Sequence, residues 1–130
     1  MGIREEATKL HESGHNCAQS VFTSCREMTG LDDKLALAIS GGFGGGLRVG
    51  EVCGALSGAL MAIGTVYPYD DCNNAEAKEK IAALAKEVCR RFKEKYGCLR
   101  CNDLKANDVN CAELIEFTAE LAQTIINENK

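Results

Sequence analysis

Apolar residues recur at helical spacing along almost the whole chain. Ile3, Ala7, Leu10, Gly14, Cys17, Val21, Cys25 and Met28 follow a three-to-four residue repeat. Ser13-Gly14 interrupts it, so the pattern predicts a helix over about 3–12 and a second over about 15–28, stopped by Thr29-Gly30. Asp32 or Asp33 is placed to cap a short helix through Ile39. Ile81, Leu84, Val88, Phe92 and Tyr96 form one stripe of a long helix over about 75–96, capped by Asn73 or Asn74 and ended by Gly97. Leu114, Ile115, Thr118, Leu121, Ala122 and Ile125 mark the inner face of a last helix over about 110–127, with Asp108 or Asn110 as its cap. The segments Tyr67–Asn74 and Cys98–Asn107 read as loops. Alternation of the strand type is absent, which predicts an all-α fold: a compact bundle of about five to six helices in a single domain, residues 1–130.

The middle of the chain breaks the pattern in an informative way. Glycines 42, 46, 50, 54 and 58 fall every four residues, and Val52 to Tyr67 contains no charged residue. A four-residue repeat runs along one stripe of an α-helix. Glycine there costs roughly 1 kcal/mol against alanine, a cost usually offset by close approach of a neighbouring backbone. The expectation is a buried, Gly-rich central helix over about Gly50 to Tyr67, fed by a loop at Ser40–Gly46. The apolar run falls short of the roughly 20 residues a membrane span needs, so an integral membrane protein is not expected.

Net charge is −4, which argues against nucleic acid as a partner. Residues 76–100 carry eight Lys/Arg against four Asp/Glu. That local excess reads as a solvated helix face rather than a binding patch. The N-terminal Met1-Gly2-Ile3-Arg4-Glu5-Glu6 has no apolar leader segment, so a cytoplasmic location is expected. Eight cysteines in a reducing compartment point to metal ligands or redox thiols rather than a disulfide framework.

Three of these cysteines, Cys17, Cys53 and Cys111, fall in the first turns of predicted helices, and Cys101 lies just before the last one. Helix N-termini present unpaired N–H groups and partial positive charge, which stabilise a thiolate. Thiolates bind metals, attack disulfides and hold iron–sulfur clusters. Cys98-Leu99-Arg100-Cys101 is a CxxC, a spacing used by zinc sites and by dithiols, but no second CxxC completes a zinc ribbon. Cys25 and Cys89 sit on apolar stripes and read as core filler. Cys72 lies beside Asp70 and Asp71, a poor setting for a thiolate. His11 and His15, four apart, read first as surface residues and second as a metal pair.

Asn16-Cys17-Ala18-Gln19-Ser20-Val21, Gly41-Gly42-Phe43-Gly44-Gly45-Gly46, Cys53-Gly54-Ala55-Leu56-Ser57-Gly58, Cys101-Asn102-Asp103-Leu104 and Cys111 together resemble a small redox-active family named for its pattern, Cys…CGAxxG…Cys…Cys. The resemblance covers nearly the whole chain. It implies a redox site on Cys17, Cys53, Cys101 and Cys111, with Cys98 as the alternative to Cys101. The chain also resembles the non-haem part of split-Soret cytochromes, which implies an iron–sulfur cluster. In such a site glycines 42 to 58, Gly54 among them, would let backbone N–H groups approach the sulfurs. The order of expectation is an iron–sulfur electron-transfer protein, then a thiol–disulfide protein using the same cysteines, then a non-enzymatic helical domain with structural zinc. The partners expected are a redox partner protein and, as a homodimer, a second copy of the chain.

Overall fold

The computed structural model describes residues 2–130, and among them the chain is all-helical. Six helices run eight residues or more: α1 (Ile3–Glu12), α2 (Cys17–Ser24), α4 (Asp33–Ser40), α5 (Gly54–Val66), α6 (Ala75–Tyr96) and α8 (Cys111–Glu128). Two are short, α3 (Arg26–Thr29) and α7 (Cys101–Ala106). The core is aliphatic, built from α2, α5 and α8 with α1 and α6 laid against them.

Local signals explain most boundaries. Asn16 and Gln19 form a reciprocal capping box at the start of α2, each side chain accepting from the other's backbone N–H at 3.0 Å. Asp32, Asn74 and Asn110 cap α4, α6 and α8 with one bond each, the side chain accepting from the N–H three residues on. Gly97, at φ 83°, ends α6 in the left-handed conformation. The inner face predicted for α8 is buried throughout, and Leu84, Val88 and Phe92 are the buried stripe of α6. The basic stretch of α6 is a surface ion-pair array, with Arg90 and Arg91 engaging Glu87, Glu94 and Glu128.

Three expectations need correcting. The predicted helix 15–28 breaks at Cys25 into α2 and α3. The apolar repeat crosses that break because both pieces pack on the same core. The helix after the glycine loop begins at Gly54, not Gly50. Gly46 and Gly50 have positive φ and belong to an irregular turn, Gly46–Gly50, in which Leu47 and Arg48 are left-handed as well. The segment Cys98–Asn107 is not all loop, since α7 occupies Cys101–Ala106.

Of the five evenly spaced glycines, only Gly54 and Gly58 therefore lie on one helix. Both serve close approach. A Cβ on Gly58 would stand 2.6 Å from the Ala18 carbonyl oxygen and 3.2 Å from the Phe22 nitrogen, so the backbone of α2 lies directly against α5.

Candidate functional site

Four cysteines meet at the ends of four helices. Cys17, Cys101 and Cys111 are the first residues of α2, α7 and α8, and Cys53 immediately precedes α5. All four line one cavity of about 40 Å³, together with Leu104, Lys105, Val109 and Leu114. The expectation that Cys101 lies in a loop is corrected by α7, which gives this cysteine a helix start of its own.

Each cysteine is held by its local sequence. Asn16, next to Cys17, donates from Nδ2 to the Gly41 carbonyl at 3.0 Å, and Gln19 Nε2 donates to the Leu37 carbonyl at 3.1 Å. These bonds tie the start of α2 to the end of α4. An isolated antiparallel bridge pairs Val52 with Arg100. Across it the Cys53 N–H donates to the Leu99 carbonyl at 2.8 Å, and the Cys101 N–H donates to the Glu51 carbonyl at 2.7 Å. Arg100 Nε pairs with Glu51 at 3.3 Å on the outside. This two-residue clamp sets Cys53 and Cys101 side by side, although they are far apart in sequence.

The glycines complete the packing. A Cβ on Gly54 would stand 2.6 Å from Cys17 Sγ and 2.7 Å from the Phe43 carbonyl oxygen. A Cβ on Gly46 would stand 2.8 Å from Cys101 Cβ, and one on Gly50 would run into the Asn102 side chain. The four-residue spacing thus serves three different contacts around the cysteines rather than one helical stripe.

Burial grades the sulfurs. Cys53 and Cys101 are buried, Cys17 is half-buried and Cys111 is exposed. Burial pushes the Cys53 thiol from an ordinary 9.0 up to about 12. The N–H groups of Leu56 and Ala55 at the start of α5 pull the other way, and the neighbouring Cys17 and Cys101 reinforce the rise. At Cys53, desolvation therefore outweighs the helix-start effect, against the expectation of a stabilised thiolate.

Burial also raises the Cys25 thiol to about 12, and the Tyr96 phenol from 10.0 to about 12. The unfolded chain ionises these groups first, so rising pH draws the equilibrium toward unfolding. The stability they protect is complete below about pH 9 and is lost progressively toward about pH 12. Urea melts of the metal-free protein at about pH 8 and about pH 10.5 are expected to show a falling midpoint, with a shallower fall in Cys25→Val. Parallel falls in parent and variant would contradict the assignment to Cys25.

Cys98 does not line the cavity. Its Sγ faces the Tyr96 carbonyl at 3.8 Å and Asn107 Nδ2 at 4.0 Å. Cys25 lies in the core, Cys89 is half-buried and Cys72 is exposed. His11 and His15 are half-buried, and neither lines the cavity. One contributor escapes sequence reasoning. Lys105 lies four residues beyond Cys101, a spacing that gains meaning only once α7 is a helix. Tyr96, on the α6 stripe, does not line the cavity; among the described residues its buried hydroxyl has no hydrogen-bond partner.

The donor set suits a thiolate-bound group: four sulfurs set in aliphatic walls. Among the described residues, no group of three or more His, Cys, Asp or Glu side chains stands close enough as the chain is folded here to hold a metal ion. Among the described residues, no helix is long and apolar enough to cross a membrane.

A family model described as "Putative redox-active protein (C_GCAxxG_C_C)" matches residues 15–125. All four cavity cysteines fall within that span. Its name writes the central element GCAxxG, whereas Cys53-Gly54-Ala55-Leu56-Ser57-Gly58 has the cysteine and first glycine in the opposite order. No curated protein and no solved structure matches the chain.

Proposed function

The chain belongs to the C_GCAxxG_C_C family of redox-active description, and from that premise we propose that its four cysteines form one site holding an iron–sulfur cluster for electron transfer. The observation that carries this reading is that Cys17, Cys53, Cys101 and Cys111, from four helix starts, line a single cavity. Four cysteine thiolates are the ligand set an iron–sulfur cluster takes, and these four residues would hold it. When bound, the cluster supplies an electron-transfer couple whose potential follows charge, burial and hydrogen bonding at sulfur.

The chain's own residues account for the rest. At the start of α5 the N–H groups of Leu56 and Ala55 act on the Cys53 sulfur, where negative charge collects on loading. Leu104, Val109 and Leu114 keep the cavity wall apolar. Gly54 leaves room for Cys17 Sγ. In this reading α5 is the central helix, and exposed Cys111 marks the side from which a partner protein exchanges electrons. A reducing compartment, the cytoplasm, suits eight free cysteines.

Thiol–disulfide exchange on the same cysteines is the second reading. It is favoured by an exposed thiol, Cys111, sharing a cavity with buried ones. The absorption spectrum and metal content of protein purified without air decide between them. Brown protein containing iron and sulfide is expected. Colourless, metal-free protein that stays so after reconstitution with iron and sulfide would favour exchange, and one bound zinc would favour a structural role.

A further inference from the structure

We propose that Lys105 is the counter-charge of the cysteine cavity, its ammonium group offsetting the negative charge the sulfurs acquire when the site is loaded. The proposal rests on the four-cysteine reading above and adds a residue to it. Apart from the sulfurs, the lining consists of Leu104, Val109, Leu114 and Lys105. Three of these are aliphatic, and among the described residues Lys105 is the only cation in the wall. A cysteine sheds its proton to bind metal, so loading brings thiolate charge into an apolar cavity whose one cationic lining residue, among the described residues, is Lys105.

The placement is specific. Lys105 follows Cys101 by four residues within α7, which puts both on the same helix face. The nearby Arg100 is already engaged, with Glu51 at 3.3 Å and Asp103 at 3.6 Å. Lys105 makes no ion pair among the described residues. Lys105 is exposed although it lines the cavity, and long charged side chains so placed cover apolar surface with the stem while the head stays in water.

The test is a cobalt(II) titration of the full chain, followed by thiolate-to-cobalt absorption, for the parent, Lys105→Gln and Lys105→Arg at low and high salt. Lys105→Gln is expected to weaken cobalt binding by about threefold to fivefold at low salt, the effect of one solvent-screened charge at close range. Lys105→Arg is expected to restore it. The gap between parent and Lys105→Gln should close in about 1 M salt, where the screening length falls to about 3 Å. With a reconstituted cluster, Lys105→Gln should also lower the reduction potential at unchanged iron content, because the lost cation stabilised the more negative, reduced form.

Equal cobalt affinity and equal potential in parent and Lys105→Gln would overturn the proposal and leave the four-cysteine site standing. Weakening that is the same in Lys105→Arg, or that ignores salt, would make Lys105 a packing residue and also overturn it. A parent that takes up neither cobalt nor cluster would remove the four-cysteine reading, and this proposal with it.

Discussion

Cys17→Ser, Cys53→Ser, Cys101→Ser and Cys111→Ser are each expected to lose the bound group, whereas Cys98→Ser, Cys25→Ser and Cys72→Ser keep it. Four thiolates on one cluster act as a unit, and metal binding to such a site is folding free energy. Each of the four variants should therefore melt at or below the temperature of the metal-free parent. Cys53→Ser should be the most damaging, because its side chain is buried beside Cys17 and Cys101. Cys98→Ser is the sharpest control: it changes the other half of the CxxC, whose sulfur faces Tyr96 and Asn107 instead of the cavity. Loss of iron in Cys98→Ser with retention in Cys101→Ser would mean that the wrong cysteine has been assigned.

The second large effect concerns the glycines of α5. Helix propensity alone favours alanine over glycine by roughly 1 kcal/mol. Gly64→Ala should follow that rule and stabilise the protein, since nothing lies within 4 Å of a Cβ built there. Gly58→Ala should reverse it, because its Cβ would meet the Ala18 carbonyl at 2.6 Å, a backbone atom with no rotamer to relieve the contact. Overpacking of this kind costs typically about 1–3 kcal/mol, and Gly58→Leu should lie at or beyond the upper end. Gly54→Ala should disturb the site as well, by displacing Cys17 Sγ. Denaturant melts of the three alanine variants test this, and a Gly58→Ala protein as stable as Gly64→Ala would contradict the close packing of α5 on α2.

How far the fold was legible depended on whether its signals were local. The stripes of α6 and α8 and the asparagine caps at Asn74 and Asn110 are repeated or adjacent features, and they mark those helices directly. The break at Cys25 is invisible to periodicity because Val21, Phe22 and Cys25 all face the same core. The even glycine spacing imitates a helical stripe, yet Gly46 and Gly50 answer to Glu51, Cys101 and Asn102, contacts that exist only after the chain has folded. α7 is six residues long, too short to show a repeat.

The cysteine set divides in the same way. Cys17 and Cys111 stand beside Asn16 and Asn110, recognisable caps, so their helix-start positions could be read from the chain. Cys101 was singled out by motif resemblance, and its neighbour in space, Cys53, is brought to it by the bridge of Val52 and Arg100. No sequence pattern announces a single isolated bridge. The consequence of burial at Cys53 was equally hidden, since desolvation depends on how deeply the start of α5 is covered.

The central claim is that the four cysteines act as one site, and differential alkylation of the native protein, read by mass spectrometry before and after a chelator strips bound metal, tests it most directly. Cys111 is the critical residue. It is exposed without a bound group and should be labelled as readily as Cys72. In protein purified without air, Cys17, Cys53, Cys101 and Cys111 are expected to be protected together while Cys72 is labelled. After stripping, Cys111 and Cys17 should become reactive at neutral pH, and the buried Cys53 and Cys101 once the protein is denatured. Labelling of Cys111 at the same rate before and after stripping, in protein that does contain iron, would contradict a shared four-cysteine site.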